Sequence, residues 1–237
     1  MHILATNGGE GFNFRLLGVP FDHALSMKDA VAELVCEVRW KLAAILRTGR
    51  FFTDEELVNL YKSQVLSYIE YRTAAIYHAC DYVLAPLNAI QEKFLGELNI
   101  SEEDSLFHFN FAPLSCRRDI AMLGLIHRCA LDKGPDHFKA FFTASSVRNT
   151  HTRSARMRHA RQLVDIRDTP FLEIERRSAL GLPWVYNRLP GDVINIVDVK
   201  DFQRRLQMIL KQGILEGCDD WKDTLSPRAL VYRHPLR

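Results

Sequence analysis

A long helical stripe of apolar side chains follows Ser26 and sets the fold class. Its members recur every three or four residues and stop near Gly49: Met27, Val31, Leu34, Val35, Val38, Leu42, Ile45 and Leu46. This is the period of an amphipathic helix that buries one face. Because serine is a favourable N-cap, we predict that this helix begins at Ser26.

Further helix signals follow. The capping box Thr53-Asp54-Glu55-Glu56 predicts a helix that continues to about Cys80. A third helix is predicted over residues 83–98, another begins at Ser101, and a long one covers residues 115–131. The chain is therefore predicted to be mainly helical, as a bundle.

The two ends and the Arg-rich middle are different in character. Residues 12–21 read as a short strand or extended arm that ends at Pro20. Asp198 is the expected N-cap of a last helix with apolar Phe202, Leu206, Ile209 and Leu210. Between the helical parts, apolar periodicity is lost and arginine dominates. We predict four parts: an arm over 1–25, a helical domain over 26–142, an Arg-rich linker over 143–168, and a C-terminal helical segment over 169–237.

Charge and cysteine content limit the compartment and the partners. The net charge is only +2, so the placement of charge must decide whether the chain binds nucleic acid. No apolar run approaches about 18 residues, and residues 1–14 lack the pattern of a signal peptide. The 5 scattered cysteines suit a reducing compartment. We expect an intracellular protein, nuclear or cytoplasmic, without a membrane partner.

The sequence holds no pattern typical of a catalytic or metal site. The one Asp-Asp pair, Asp219-Asp220, follows a helix and is expected to be a solvated surface pair. Cys116 and His127 lie about three turns apart on one predicted helix, too far for one metal ion. We therefore expect no catalytic residue, no metal and no cofactor.

Four segments stand out in chain order: residues 14–22 with Leu25-Ser26, residues 60–71, residues 87–95 and residues 185–206. In this order they resemble non-LTR-retrotransposon reverse transcriptases downstream of their catalytic motif. Residues 14–22 with Leu25-Ser26 resemble the family's "F-K-Y-L-G-V … L-S" segment, which enters the thumb. Residues 60–71 resemble its "L-Y-K-S-L-V … L-E-Y" thumb helix, and residues 87–95 the "L-E-x-V-Q-R-R" helix that follows. Residues 185–206 resemble the "W-N-x-L-P-x-x-V … S-F-K-x-x-L" ending.

The resemblance implies a thumb and post-thumb part, without the catalytic palm, that grips template and primer. Its nucleic-acid-binding residues would be two sets of cations. The helical set is Lys28, Arg39, Lys41, Arg47 and Arg50, and the linker set is Arg148, Arg153, Arg156, Arg158 and Arg161. The expected partner is RNA or RNA–DNA duplex, bound weakly and without sequence preference. A separate chain that carries the palm is a further expected partner.

Two alternatives stay open. The helical cations could form an ordinary solvated face, because Glu33 and Glu37 lie among them. Aromatic side chains could stack on bases, although helical spacing places most of them in the core. The chain could also be a decayed or co-opted helical remnant that acts as a protein-interaction module or has no function, and an exposed apolar face near residues 12–19 would favour that reading.

Overall fold

The structure is a computed structural model that describes residues 14–144, 159–164, 172–229 and 234–236. The chain is mainly helical, as predicted, and divides into two compact units, Met1–Leu114 and Ser115–Arg237. This division lies inside the range predicted as one helical domain. None of the helices in the described ranges is long and apolar enough to cross a membrane.

The first unit begins with a β-hairpin instead of a single strand or arm. Strands β1 (Phe14–Leu16) and β2 (Val19–Phe21) pair antiparallel, with Phe14 opposite Phe21. Leu17 and Gly18 both have positive φ and turn the chain in two residues, as a tight hairpin requires. Pro20 therefore lies within β2, an edge position where its missing N–H is tolerated.

Helix α1 spans Lys28–Thr48, and its predicted cap is wrong. The N-cap position is Met27, which is left-handed with φ 61° and makes no side-chain cap. The reason is Asp22, whose carboxylate accepts from the backbone N–H groups of Ser26 at 2.9 Å and Met27 at 2.8 Å and from the Ser26 hydroxyl at 3.1 Å. These bonds hold the chain in a tight turn, so the helix begins after it.

The predicted capping box at Thr53 is confirmed, but the helix that it begins is interrupted. Helix α2 (Asp54–Tyr61) continues into a π-helical turn, Lys62–Leu66, and then into α3 (Ser67–Tyr71). The Ser67 hydroxyl in this stretch donates to the Ser63 carbonyl at 2.5 Å. Such back-bonding bends a helix. A break at Arg72 leads to α4 (Thr73–Ile76), which ends before Cys80.

Helices α5 (Asp81–Glu97) and α6 (Glu102–Phe109) complete the first unit. Ser101 caps α6 as predicted, and its hydroxyl accepts from the Asp104 N–H at 3.0 Å. The core joins the buried faces of α1, α2, α3 and α5. At its centre the ring of Tyr61 lies 4.3 Å from that of Phe94 and 5.3 Å from that of Phe111.

The second unit contains α7 (Leu114–Ala130), α8 (Asp136–Lys139), α9 (Leu172–Arg177), α10 (Leu182–Tyr186), α11 (Gly191–Ile194) and α12 (Val199–Leu215). Asp198 caps α12 as predicted, because its carboxylate accepts from the N–H groups of Lys200 and Asp201. Phe202 of α12 is buried, and its ring stacks on His127 at 3.9 Å. His127 therefore anchors this core.

Candidate nucleic-acid interface

The helical cations lie on more than one side of α1. Arg39 follows Lys28 by about three helical turns and lies at nearly the same angle. Lys41, two residues further, is rotated by about 200° from Arg39. The neighbours agree, since the Lys28 ammonium is 5.7 Å from the ring centre of Tyr82 on α5, whereas the Lys41 ammonium is 5.0 Å from that of Tyr68 on α3. One flat ligand cannot contact all of these cations at once.

Arg47 lies in the last turn of α1, Arg50 lies in the 3₁₀ turn Gly49–Phe51 that follows it, and both side chains are exposed. The Arg47 Nε donates to the Ala43 carbonyl at 3.2 Å. The Arg50 guanidinium is 4.6 Å from the ring centre of Phe51, and that ring is 69% exposed. The end of α1 thus presents two cations and an exposed aromatic ring together.

Acidic residues among these cations are engaged elsewhere. The Glu33 carboxylate pairs with Arg15 of β1 at 2.7 Å. The Glu37 carboxylate pairs with Arg72 at 3.3 Å and accepts from the Tyr68 hydroxyl. Within the part of the chain that the structure describes, none of the five helical cations forms an ion pair. Their charge is therefore not neutralised by contact with a carboxylate.

Most of the predicted linker set lies outside the described residues: Arg148, Arg153, Arg156 and Arg158. Arg161 is described, and it is built into the second unit. Its Nη1 donates to the Ile194 carbonyl at 2.7 Å, and its backbone N–H donates to His159 Nδ1 at 3.2 Å. Leu163, two residues later, is buried and forms a β-bridge with Ala144. The described residues 159–164 are therefore held by contacts with the second unit, whereas the rest of the predicted linker lies outside the described residues.

The aromatic residues divide by exposure, and the expectation that most are core holds for only part of them. Tyr61, Phe111 and Phe142 are buried, whereas the exposed ones are Phe51, Phe52, Tyr71 and Phe141. Trp40 on α1, which is 71% exposed between Arg39 and Lys41, was not predicted as an interface residue. Its position opposite the buried stripe, between two cations, was a signal already present in the sequence.

No arrangement suited to metal chemistry exists in the described ranges, where no three His, Cys, Asp or Glu side chains come together. Asp219 and Asp220 are exposed, as expected. His127 instead has a structural role. Its Nδ1 is 2.9 Å from the Tyr186 hydroxyl and its Nε2 is 2.7 Å from the Ile196 carbonyl. Both ring nitrogens are occupied, so His127 is not available as a ligand or base.

No protein-family model, curated protein or solved structure matches the chain. The assignment of a function to these surfaces therefore depends on the geometry of the chain itself.

Proposed function

We propose that the chain is a thumb and post-thumb part of a non-LTR-type reverse transcriptase and that α1 grips an RNA–DNA or RNA duplex. The observation that carries this proposal is the group of cations toward the end of α1, the exposed Arg47 and Arg50 with the half-buried Lys41. None of them pairs with a carboxylate in the described part of the chain, and the nearby Glu33 and Glu37 pair with other residues. Unpaired cations on a rigid helix suit charge-assisted contacts to phosphates. The sequence resemblance supports the same role.

The end of α1 is the best-formed part of this surface. Arg47 and Arg50 lie about one turn apart, and Lys41 precedes Arg47 by about 9 Å along the helix axis with a rotation of roughly 120°. If about three phosphates are contacted, the slope of log affinity against log salt should be roughly −2 to −3. Binding of this kind is weak and insensitive to base sequence, because phosphates carry no base identity.

The test compares three triple variants that each remove three positive charges. Lys41→Ala, Arg47→Ala and Arg50→Ala together should flatten the salt slope of duplex binding, measured by fluorescence anisotropy with a labelled RNA–DNA duplex. In a second variant Arg153, Arg156 and Arg158 are changed to alanine, which measures how much the Arg-rich segment contributes to duplex binding. A third, with Lys133, Lys139 and Lys200 changed to alanine, is the control because these exposed lysines belong to the other unit.

Equal loss of affinity in the α1 variant and the lysine control would contradict the proposal, because net charge and not position would then explain binding. If the α1 variant keeps the full salt slope and the Arg153, Arg156 and Arg158 variant loses it, the Arg-rich segment and not α1 contacts the duplex. If the unaltered protein does not bind duplex at low millimolar salt, the role in gripping template and primer is wrong.

A second function, that of a protein-interaction module, is favoured by the hairpin. Leu17 at its turn is 78% exposed, and the ring of Phe14 is also exposed. Exposed apolar side chains on one small element can contribute to a contact surface. Absence of duplex binding in the assay above would make this the better function for the first unit.

A further inference from the structure

A groove of about 490 Å³ runs between α1 and α5 within the first unit. Leu42 and Ile90 are buried at its floor. The remaining apolar lining residues are half-buried or exposed: Ala43, Leu46, Pro86 and Ala89. The small side chains of Ala43 and Ala89 keep the groove open, and its apolar surface remains in contact with water. An apolar groove of this kind is stabilised by an apolar ligand.

Each wall of the groove carries one cation, and these two are the charged side chains among its described lining residues. Arg39 comes from α1 and Lys93 from α5. Both are exposed, and within the described residues neither forms an ion pair. A ligand that places apolar groups on the floor would therefore meet a positive charge on both sides. Complementarity requires negative charge on both edges of the ligand.

We infer that this groove binds an amphipathic helix of a partner protein whose apolar face is flanked by acidic side chains. The lining residues span about two turns of each helix, or roughly 11 Å. That length accepts apolar side chains at positions i, i+3, i+4 and i+7 of a third helix, as in helix-in-groove recognition.

Two other kinds of occupant fit the groove less well. A small molecule in a typical site buries most of its surface, whereas the described residues that line this groove all come from two helices. A nucleic-acid backbone would satisfy Arg39 and Lys93 but would leave the apolar floor uncovered, because phosphates remain hydrated. The inference is independent of duplex binding, which is assigned above to cations at the end of α1.

The test uses two labelled peptides, both acetylated and amidated, with leucines at i, i+3, i+4 and i+7, charged residues on both flanks of the leucine face, and alanines at all other positions. One carries glutamates on both flanks of the leucine face, and the other carries lysines at the same positions. Fluorescence anisotropy should show that the protein prefers the glutamate peptide by about tenfold, since two rim contacts of modest strength differ between the peptides.

Two variants separate the rim from the floor. Arg39→Glu combined with Lys93→Glu should reverse the preference in favour of the lysine peptide. Ala89→Trp keeps every charge but fills the groove, so it should weaken both peptides by about tenfold or more. Lys133→Glu combined with Lys200→Glu alters the net charge equally and should leave the preference unchanged. All these positions are exposed, so circular dichroism spectra should match that of the parent.

Equal binding of the two peptides, or an unchanged preference after the double reversal at Arg39 and Lys93, would overturn the inference. A different result would identify another ligand. If a short RNA duplex binds with dependence on Arg39 and Lys93 but not on Ala89, and neither peptide binds, the groove cations form a phosphate site and the inference is wrong. The variant at Lys41, Arg47 and Arg50 leaves the groove intact, so failure of duplex binding does not affect this test.

Discussion

Two buried tyrosines differ in one hydrogen bond, and this difference predicts opposite effects of the same substitution. Tyr61 in the first unit and Tyr186 in the second are both fully buried. The Tyr186 hydroxyl lies 2.9 Å from His127 Nδ1. The Tyr61 hydroxyl has no hydrogen-bond partner among the described residues. Burial raises the pKa of both phenols, so each is a neutral hydroxyl over the whole physiological range.

Tyr61→Phe should stabilise the protein. A buried hydroxyl without a partner costs about 1–3 kcal/mol on the scale of protein mutations. Phenylalanine removes that hydroxyl and keeps the ring against Phe94 and Phe111, so no large cavity forms. We expect the free energy of unfolding to rise by about 1 kcal/mol and the melting temperature by roughly 3 °C.

Tyr186→Phe is the matched control, because the chemical change and the degree of burial are the same. It removes the partner of His127 Nδ1 and leaves a buried ring nitrogen unsatisfied, which should cost about 1–3 kcal/mol. Urea titrations followed by far-ultraviolet circular dichroism measure both effects, with unchanged m-values as evidence that the same transition is compared. Destabilisation by Tyr61→Phe of 1 kcal/mol or so would refute the reasoning, because it would reveal a hydrogen bond that the hydroxyl makes.

Two further predictions concern pH and helix capping. Burial lowers the pKa of His127 and His159, so the unfolded chain binds protons more readily than the folded one. The free energy of unfolding should therefore be constant above about pH 6.5 and fall below it, by at most about 1.4 kcal/mol per pH unit for each histidine. Urea midpoints that stay constant from about pH 7 to pH 5 would contradict this. Thr53→Ala should lower the free energy of unfolding by about 1 kcal/mol, because it breaks the capping box of α2. Thr53→Ser should recover most of that loss, since serine keeps the hydroxyl. Equal melting temperatures of the two variants would show that the hydroxyl is unimportant.

Local sequence patterns correctly predicted the helical class and several helix ends. The box at Thr53 and the caps at Ser101 and Asp198 are found where they were expected. Each of these caps joins groups three residues apart or fewer, so the sequence contains both partners. The apolar stripe of α1 is likewise a local property, because its period is that of the helix itself.

The predicted N-cap at Ser26 was wrong because a nearby group competes for its hydrogen bonds. Ser26 has the chemistry of an N-cap, but the Asp22 carboxylate takes its hydroxyl and its N–H. The hairpin was also missed, since its turn depends on positive φ at Leu17, a residue that seldom adopts it. The residue types alone do not decide between a Ser26 cap and an Asp22 turn, or between a single strand and a hairpin.

The charge of the α1 surface was decided by tertiary structure. Glu33 and Glu37 lie among the cations in sequence, which left open an ordinary solvated face. Packing places Glu33 beside Arg15 of the hairpin and Glu37 beside Arg72, which lies 35 residues later in the chain. Arg161, which reads as part of a solvated linker, similarly donates to a carbonyl 33 residues away. A side chain's charge is given by its type, but the partner that neutralises it depends on which distant segments fold against it, and this is a property of the packed chain.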